Sequence, residues 1–519
     1  MKTCPLILTS SVLALFLSTP TFAQDDAMKK EKPAAEDAKK DEDKKKDEEK
    51  FGKEESSVTQ HSGTFGGEKF DYTATAGTIV LKKDEKKAHA SIFYVAYTKD
   101  DVENKADRPI VFCFNGGPGS SAVWLHLGGF GPKRVAMNAD GTQPAPPYSV
   151  TDNSFSILKV ADLVFIDPVS TGFSRANEAK AAKEYHEYDG DLNSVADFIR
   201  LYTTRNERWL SPKFLAGESY GSFRAAGVCE VLRDRYGMYL NGIVLVSGVL
   251  GFDTLWGTDL AHVCFLPALA HVAAFHGKLE GEYADNAEKR TADAEAFAKG
   301  DYALGLLQGA RLDPAKKLEI AKRLSEFTGI DADLIERLNL RLDPSRFREE
   351  ILKEEREVIG RFDGRIIGKD TNLASESPDY DPSYSSVYGA FSAAQNHYLR
   401  SELKFESDLV YEVLSSKVRP WDYSKAFTGR PVDVSGKLSS AMTENKHLQI
   451  MVNCGYHDLA TPYFSIQHTL DHLDVSPELI KNNIRYTFYD GGHMMYTIEE
   501  SNTQWNKDVA EFILESIPE

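Results

Sequence analysis

The chain has 519 residues, of which 42% are hydrophobic, and its formal net charge is −18 at pH 7. This length allows one large domain with a sizeable insertion, or two or three domains of average size. Because phosphate backbones and anionic membranes repel a strongly acidic surface, the charge argues against nucleic acid as a partner.

The first 23 residues have the pattern of a secretory signal peptide. Lys2 precedes an apolar stretch that ends at Thr19, and Ala23 supplies the small residue that signal peptidase requires. A membrane anchor is the alternative, but the apolar run is short and is interrupted by Ser, Thr and Pro. No later stretch is long and apolar enough to span a bilayer. We therefore expect a periplasmic or secreted protein with no integral membrane segment after cleavage.

Residues 24–56 consist almost entirely of Lys, Glu, Asp and Ala. Such a segment cannot bury enough apolar surface to offset the entropy of the chain. The composition predicts a disordered, charged tether without a catalytic part.

Residues 57–252 predict the first part of an α/β core. β-rich runs between residues 57 and 97 predict antiparallel strands that open a sheet. Further on, short apolar runs alternate with amphipathic stretches, which is typical of a mostly parallel sheet with helices on both faces. The predicted parallel strands are 109–114, 161–167, 213–216 and 242–246, and the predicted helices are 188–205 and 222–236.

Residues 253–437 interrupt this alternation, and residues 438–519 resume it. Helical periodicity with charged outer faces predicts a largely helical cap insertion in the first of these segments. Its predicted helices are 292–299, 314–327, 332–338 and 344–358. The second segment predicts the rest of the core, with strands 448–452 and 484–489 and a closing helix at 499–517.

Gly217-Glu218-Ser219-Tyr220-Gly221 is the sharpest chemical signal. It follows a predicted strand and opens a predicted helix, the context of a nucleophile elbow in the α/β-hydrolase fold. A structural turn is the alternative, but G-x-S-x-G occurs only here in the chain. We predict that Ser219 is a catalytic nucleophile.

A serine nucleophile needs a base, and the base needs a carboxylate to orient it. His493 follows the last predicted strand, and Asp458 follows the preceding one, so the chain order is Ser, Asp, His. His457 and Asp490 are the competing candidates. We expect His457 to be a surface residue, and Asp490 lies too close to His493 in sequence to face it.

Acyl transfer also requires donors for the developing oxyanion. The Tyr220 N–H, directly after the nucleophile, is one predicted donor. The Gly-rich loop 115–121, after an apolar strand, is the predicted source of the second. A phosphate-binding loop is the alternative, but no Lys follows at the required spacing.

The sequence offers no sign of a metal site or a cofactor. It contains no C-x-x-C pair and no H-E-x-x-H motif, so a zinc site is not expected. Cys113, Cys229, Cys264 and Cys454 remain after signal cleavage, and either disulfides or buried free thiols fit their positions.

With these motifs, the chain resembles the serine carboxypeptidase family. Segments 115–121, 166–174, 217–221 and 491–494 match the family's motifs in the family's order. The resemblance implies a peptidase that removes single residues from substrates with a free C-terminus. It implies an oxyanion hole formed by Gly117 and Tyr220, carboxylate binding by Asn115, the Gly116 amide and Glu218, and a pocket for the leaving residue lined by Met494.

The chain departs from the family at two positions. Gly129 stands where the family has a second glutamate that shares carboxylate binding with Glu218, and Ser120 replaces a family cysteine. We considered His126, which lies nearby, as a source of positive charge for the substrate. The missing glutamate keeps open an esterase or acyltransferase with the same triad, and the charged tether keeps open a non-catalytic binding protein. The sequence does not indicate an oligomeric state.

Overall fold

The computed structural model describes residues 53–83, 87–372 and 374–518. The predicted signal peptide, 1–23, and residues 24–52 of the predicted tether lie outside this range. Residues 53–56, the end of the predicted tether, lie within the described range, and β1 begins at Ser56. The Val80 amide donates to Glu54 Oε1 at 3.0 Å, and the Thr78 amide donates to the Glu55 carbonyl at 2.8 Å.

One large mixed sheet organises the described residues. Its strands follow the order β1-β2-β3-β7-β4-β9-β10-β13-β14, with β8 paired to β3, and a small β5–β6 pair and a small β11–β12 pair lie apart from it. The strands are β1 (Ser56–Phe65), β2 (Glu68–Lys83), β3 (Lys87–Lys99), β4 (Ile110–Phe114), β5 (Lys133–Val135), β6 (Val150–Asp152), β7 (Asp162–Ile166), β8 (Arg175–Ala176), β9 (Lys213–Glu218), β10 (Gly242–Val246), β11 (Glu357–Ile359), β12 (Ile367–Lys369), β13 (Gln449–Gly455) and β14 (Ile484–Tyr489).

The strands β7, β4, β9, β10, β13 and β14 run parallel, whereas β1, β2 and β3 pair antiparallel. Helices cover both faces of this sheet. Alternate residues of β4 face opposite hydrophobic clusters, with Phe112 in one and Val111 in the other. Strands buried on both faces must be apolar at successive positions, which is why they appear in the sequence as continuous apolar runs.

The described α-helices cover Val123–Leu125, Ala179–Tyr185, Tyr188–Arg205, Tyr220–Tyr236, Asp259–Phe275, Glu282–Asp285, Ala287–Phe297, Ala303–Gln308, Pro314–Thr328, Ala332–Arg337, Pro344–Glu350, Pro382–Ser401, Ser435–Glu444, Tyr463–Asp471, Pro477–Asn483 and Glu499–Glu515. Nine of them begin within residues 253–437, between β10 and β13. The predicted helix at 344–358 is wrong at its end, because the helix stops at Glu350 and β11 begins at Glu357.

The described residues decide between the two alternatives for the cysteines. Cys113, Cys229, Cys264 and Cys454 are all buried and free, so the thiol alternative is the one observed. A helix with both the length and the apolar character needed to cross a membrane is not found among the residues that the structure describes.

Candidate active site

Ser219 lies at the tight turn between β9 and the helix Tyr220–Tyr236, which we call the elbow helix. Its backbone has φ 59° and ψ −127°, a strained conformation for a residue with a side chain. A Cβ added to Gly217 would lie 2.2 Å from the Gly221 carbonyl oxygen, so the turn closes only with glycine at that position. The sequence G-x-S-x-G therefore folds into a turn that presents Ser219 at the carboxyl end of the sheet.

His493 and Asp458 form a buried hydrogen-bonded pair. His493 Nδ1 lies 2.8 Å from Asp458 Oδ2. This partner favours the tautomer that carries its proton on Nδ1 and leaves Nε2 free to accept one. Asp458 Oδ1 accepts from the amides of Ala460 at 2.7 Å and Thr461 at 3.0 Å, which keeps the carboxylate in place. The arrangement is that of a base with its orienting acid.

Burial lowers the pKa of His493, but the Asp458 carboxylate and then Glu218 more than offset this, so the pKa is raised above its usual value. The imidazolium form is thus stabilised by the carboxylate that orients the ring. This is the electrostatic condition for a base that must hold a proton during a reaction.

Hydrogen bonds to the end of β10 connect the turn at Ser219 with the loop at His493. The Ser219 amide donates to the Val246 carbonyl at 2.9 Å, and the Ser247 hydroxyl donates to the His493 carbonyl at 2.8 Å. Within the described range, no hydrogen bond joins the Ser219 hydroxyl to the His493 ring. Such bonds are often long in a ligand-free site and shorten when substrate binds.

Phe362, from the segment between β10 and β13, covers the histidine. Its ring stacks on His493 with 5.1 Å between centroids and an interplanar angle of 21°. The His493 amide also donates to the Phe362 carbonyl at 2.5 Å. The helical segment therefore supplies one wall of the candidate site.

The loop after β4 packs directly against the elbow. A Cβ added to Gly116 would lie 2.5 Å from the Tyr220 amide nitrogen and 2.7 Å from that of Gly221. Gly117 follows with φ 103°, a conformation that favours glycine. The Tyr220 N–H belongs to the first turn of the elbow helix, where amides lack helical acceptors. The loop after β4 and the elbow are thus in close backbone contact.

A buried ion pair holds this loop in place. Arg224 on the elbow helix pairs with Asp191 on the helix Tyr188–Arg205, with Nε and Oδ2 2.8 Å apart. Arg224 Nη1 also donates to the Asn115 carbonyl. The guanidinium therefore links the loop after β4 to the elbow helix.

Asn115 and Glu218, the predicted carboxylate-binding side chains, are both buried. The Asn115 side chain lies near the Glu218 carboxyl and lowers its pKa. Asn115 Nδ2 is a buried donor without a hydrogen bond to any described residue. Burial raises the pKa of Glu218 to about 7, against the lowering effects of His493, Tyr496 and Asn115. Met494, next to the candidate base, is 9% exposed.

Two expectations about nearby histidines are wrong. His126 is buried, bonds to the Tyr97 hydroxyl at 2.7 Å and stacks on Phe165, and burial lowers its pKa to about 3. It is a neutral core residue and offers no charge to a substrate. His457, predicted at the surface, is 7% exposed, and the rings of His271 and Phe275 pack against its imidazole. The other competitor, Asp490, is exposed and bonds to Arg365 at 3.4 Å.

Three residues of this site have no signal in the sequence. Thr461 Oγ1 lies 2.9 Å from Asp458 Oδ2, Phe362 stacks on the histidine, and the Tyr496 hydroxyl donates to Glu218 at 2.6 Å. None belongs to a motif that marks catalysis. Thr461 and Tyr496 each lie three residues after a predicted catalytic residue, Asp458 and His493, and this position was the available clue.

The chain matches known proteins in sequence. A family model described as serine carboxypeptidase matches residues 67–507. The pheromone-processing carboxypeptidase KEX1 of Saccharomyces cerevisiae is 33% identical over 156 residues, covering 28% of this chain and 20% of the yeast protein. Serine carboxypeptidase-like 35 of Arabidopsis thaliana is 28% identical over 185 residues, covering 35% of each chain. The matches thus span a fifth to about a third of these relatives' length.

A solved structure supports the fold. The crystal structure of KEX1(delta)p, a prohormone-processing carboxypeptidase from Saccharomyces cerevisiae, aligns with a TM-score of 0.54 and 18% identity, covering 86% of this chain and 92% of that chain. At this identity the likeness concerns the fold, and the predicted α/β-hydrolase fold is confirmed. Because the family model spans residues 67–507, the chain belongs to the serine carboxypeptidase family.

Proposed function

We propose that the protein is a serine-type carboxypeptidase that hydrolyses C-terminal peptide bonds through an acyl-enzyme intermediate. The observation that carries the proposal is the buried His493–Asp458 pair, 2.8 Å apart, at the same sheet edge as the Ser219 elbow. Its substrates are peptides with a free C-terminus. Family membership supports this substrate class.

In the proposed reaction, Ser219 Oγ attacks the carbonyl carbon of the last peptide bond. His493 Nε2 takes the hydroxyl proton, and Asp458 stabilises the imidazolium that results. The amides of Gly117 and Tyr220 donate to the oxyanion. His493 then gives its proton to the leaving amine, and a water molecule activated by the same imidazole hydrolyses the acyl-enzyme.

Carboxylate recognition is the proposed source of exopeptidase specificity. The Asn115 side chain lies beside the Glu218 carboxyl and lowers its pKa, which supports this role. A negative glutamate would repel a substrate carboxylate, whereas a protonated glutamate can donate to it. A Glu218 pKa of about 7 supplies the protonated form below neutral pH.

The direct test compares a blocked dipeptide that has a free C-terminus with its C-terminal amide. We expect the free acid to be cleaved much faster, and Ser219→Ala to abolish cleavage and labelling by a fluorophosphonate probe. Equal rates for both substrates would favour the esterase or acyltransferase alternative. A wild-type protein that neither cleaves nor reacts with the probe would favour the binding-protein alternative.

We also propose that the chain is exported through cleavage after Ala23. The proposal rests on the sequence pattern of residues 1–23, which lie outside the described range. Expression in a bacterial host, followed by N-terminal sequencing of the periplasmic fraction, should give a first residue of Gln24. A full-length N-terminus would contradict cleavage.

We propose that residues 253–437 act as a cap over the sheet edge. The contact of Phe362 with His493 supports this role, since it brings the segment against the candidate base.

A further inference from the structure

Tyr496 makes a buried contact with the candidate carboxylate-binding residue. Its hydroxyl donates to Glu218 Oε2 at 2.6 Å. Both side chains are buried, with Tyr496 fully inaccessible and Glu218 3% exposed. Nothing in the proposed mechanism uses this tyrosine, although it lies three residues after His493.

The surroundings hold the Tyr496 ring in one place. A Cβ added to Gly128 would lie 2.4 Å from Tyr496 Cε2, so the ring rests on the bare backbone of that glycine. On another side the ring stacks on Trp505, with 5.2 Å between centroids. A rigid ring fixes the position of its hydroxyl and therefore of the glutamate oxygen to which it donates.

Trp505 also explains why no second glutamate can stand at residue 129. A Cβ added to Gly129 would lie 2.1 Å from Trp505 Cζ3, so any side chain there would collide with the indole. In place of a second glutamate, Glu218 has Tyr496 as its hydrogen-bonded neighbour. A tyrosine hydroxyl can donate a hydrogen bond to a carboxylate, but it does not share a proton with it as a second carboxyl group would. Glu218 is thus the single carboxyl group at the place where the resemblance implied two.

The groups that face Glu218 come from three loops. Asn115 follows β4, Asp458 follows β13, and His493 and Tyr496 follow β14. Burial raises the Glu218 pKa most strongly, and Asp458 raises it further, whereas His493, Tyr496 and Asn115 lower it. Burial raises the pKa of Tyr496 well above 10, so its hydroxyl remains a donor throughout the range in which Glu218 titrates.

We propose that Tyr496 is the positioning residue for recognition of the substrate's C-terminal carboxylate. Its hydroxyl donates a hydrogen bond to Glu218 Oε2, so Oε1 is left to carry the proton that Glu218 donates to the substrate carboxylate. The inference rests on the proposed function and adds to it the residue that orients Glu218 and sets the pH range of exopeptidase activity.

The test follows kcat/KM against pH for the blocked dipeptide and for its C-terminal amide. For the free acid, wild-type activity should rise as His493 loses its proton and fall as Glu218 loses its own. For the C-terminal amide, kcat/KM should only rise with pH, because this substrate has no carboxylate for ionised Glu218 to repel. This difference separates the titration of Glu218 from that of the catalytic base.

In Tyr496→Phe the glutamate loses a donor that favours its ionised form, so the pKa of Glu218 should rise. A hydrogen bond to a charged group has a strength that corresponds to about one pKa unit. The alkaline limb of the free-acid profile, where kcat/KM falls as Glu218 ionises, should therefore shift to higher pH by about one unit. KM for the free acid should increase severalfold below that limb, with kcat little changed, because Glu218 is no longer oriented. The amide should be cleaved as by wild type.

Tyr489→Phe is the matched control. Tyr489 is also a buried tyrosine, and its hydroxyl donates to the Asp508 carboxylate at 2.8 Å. Its removal should leave the alkaline limb in place. An alkaline limb that stays unchanged in Tyr496→Phe, or that moves equally in both variants, would overturn the inference.

Glu218→Gln keeps the test decisive if Tyr496→Phe does not fold. An amide donates at every pH, so this variant should lose the alkaline limb for the free acid, and a limb that persists would overturn the inference. Failure of the proposed function has a different signature, since wild type would then show no preference for the free acid. The two failures are therefore distinguishable.

Discussion

At the scale of single residues, the Asp458 carboxylate has several hydrogen-bond partners besides His493. Two amides donate to Oδ1, and Oδ2 lies near both His493 Nδ1 and the Thr461 hydroxyl. These contacts fix the orientation of the carboxylate, and the histidine tautomer follows from it.

Asp458→Asn should lower kcat by about 10³- to 10⁴-fold, because the amide favours the wrong histidine tautomer. The amides of Ala460 and Thr461 would also face a weaker acceptor. Steady-state kinetics on the blocked dipeptide, with circular dichroism to check folding, measures this effect. Asp490→Asn is the matched control, since Asp490 lies on the neighbouring loop and is exposed. Near-normal activity in Asp458→Asn would contradict the assigned role.

Chain order and motif were enough to choose Ser219, Asp458 and His493, and the structure brings the last two into contact. Burial was not predictable in the same way. His457 was expected at the surface because it precedes the last predicted strand, yet its ring packs against His271 and Phe275 of the distant helix Asp259–Phe275. A distant segment that folds over a residue leaves no local trace in the sequence.

At the scale of elements, the site depends on the close approach of two turns. The loop after β4 lies so near the elbow helix that Gly116 has no room for a side chain. Arg224 strengthens the approach through its bonds to Asp191 and the Asn115 carbonyl. Backbone packing therefore fixes the loop after β4 against the elbow.

Gly116→Ala should push the loop away from the Tyr220 amide. Displacements of about 1 Å near reacting groups can lower rates by about 10²-fold, and we expect a loss of this size in kcat/KM. Gly436→Ala is the control, because a Cβ added there contacts nothing within 4 Å. A Gly116→Ala enzyme with wild-type kinetics would show that the loop takes no part in catalysis.

Elements with strong sequence patterns were predicted well, and the others were missed for physical reasons. The helix Asp259–Phe275 is apolar on nearly all sides and contains Pro267, so it shows no amphipathic period. The helix that begins at Pro344 was predicted too long, because the charged residues after Glu350 continue a helical pattern. Arg356 adopts φ 59°, which no helix allows, and β11 begins after it.

At the scale of the whole described chain, alternation of apolar strands with helices predicted a mostly parallel sheet, and the nucleophile elbow with the order Ser, Asp, His identified it as an α/β-hydrolase fold. The order of strands in the sheet was not predicted, since it depends on pairing between distant segments. β7 lies between β3 and β4, and this order joins the antiparallel start of the sheet to its parallel part. The resulting core contains the four cysteines as apolar residues.

The cysteines allow a test of this core. Because Cys113, Cys229, Cys264 and Cys454 are buried and free, a thiol reagent should label none of them in the native enzyme and all four after denaturation. Reducing agent should leave Tm unchanged. A disulfide among them would typically contribute about 2–5 kcal/mol, so a clear drop in Tm on reduction would contradict the described arrangement.

The proposed function makes Ser219 responsible for C-terminal cleavage. To test this, a defined peptide mixture, half of it C-terminally amidated, is incubated with wild type and with Ser219→Ala, and the masses are followed over time. We predict successive loss of single C-terminal residues from the free-acid peptides with wild type, little change in the amidated ones, and no loss with the variant. Cleavage by Ser219→Ala at the wild-type rate, or internal cuts in place of terminal losses, would contradict the account.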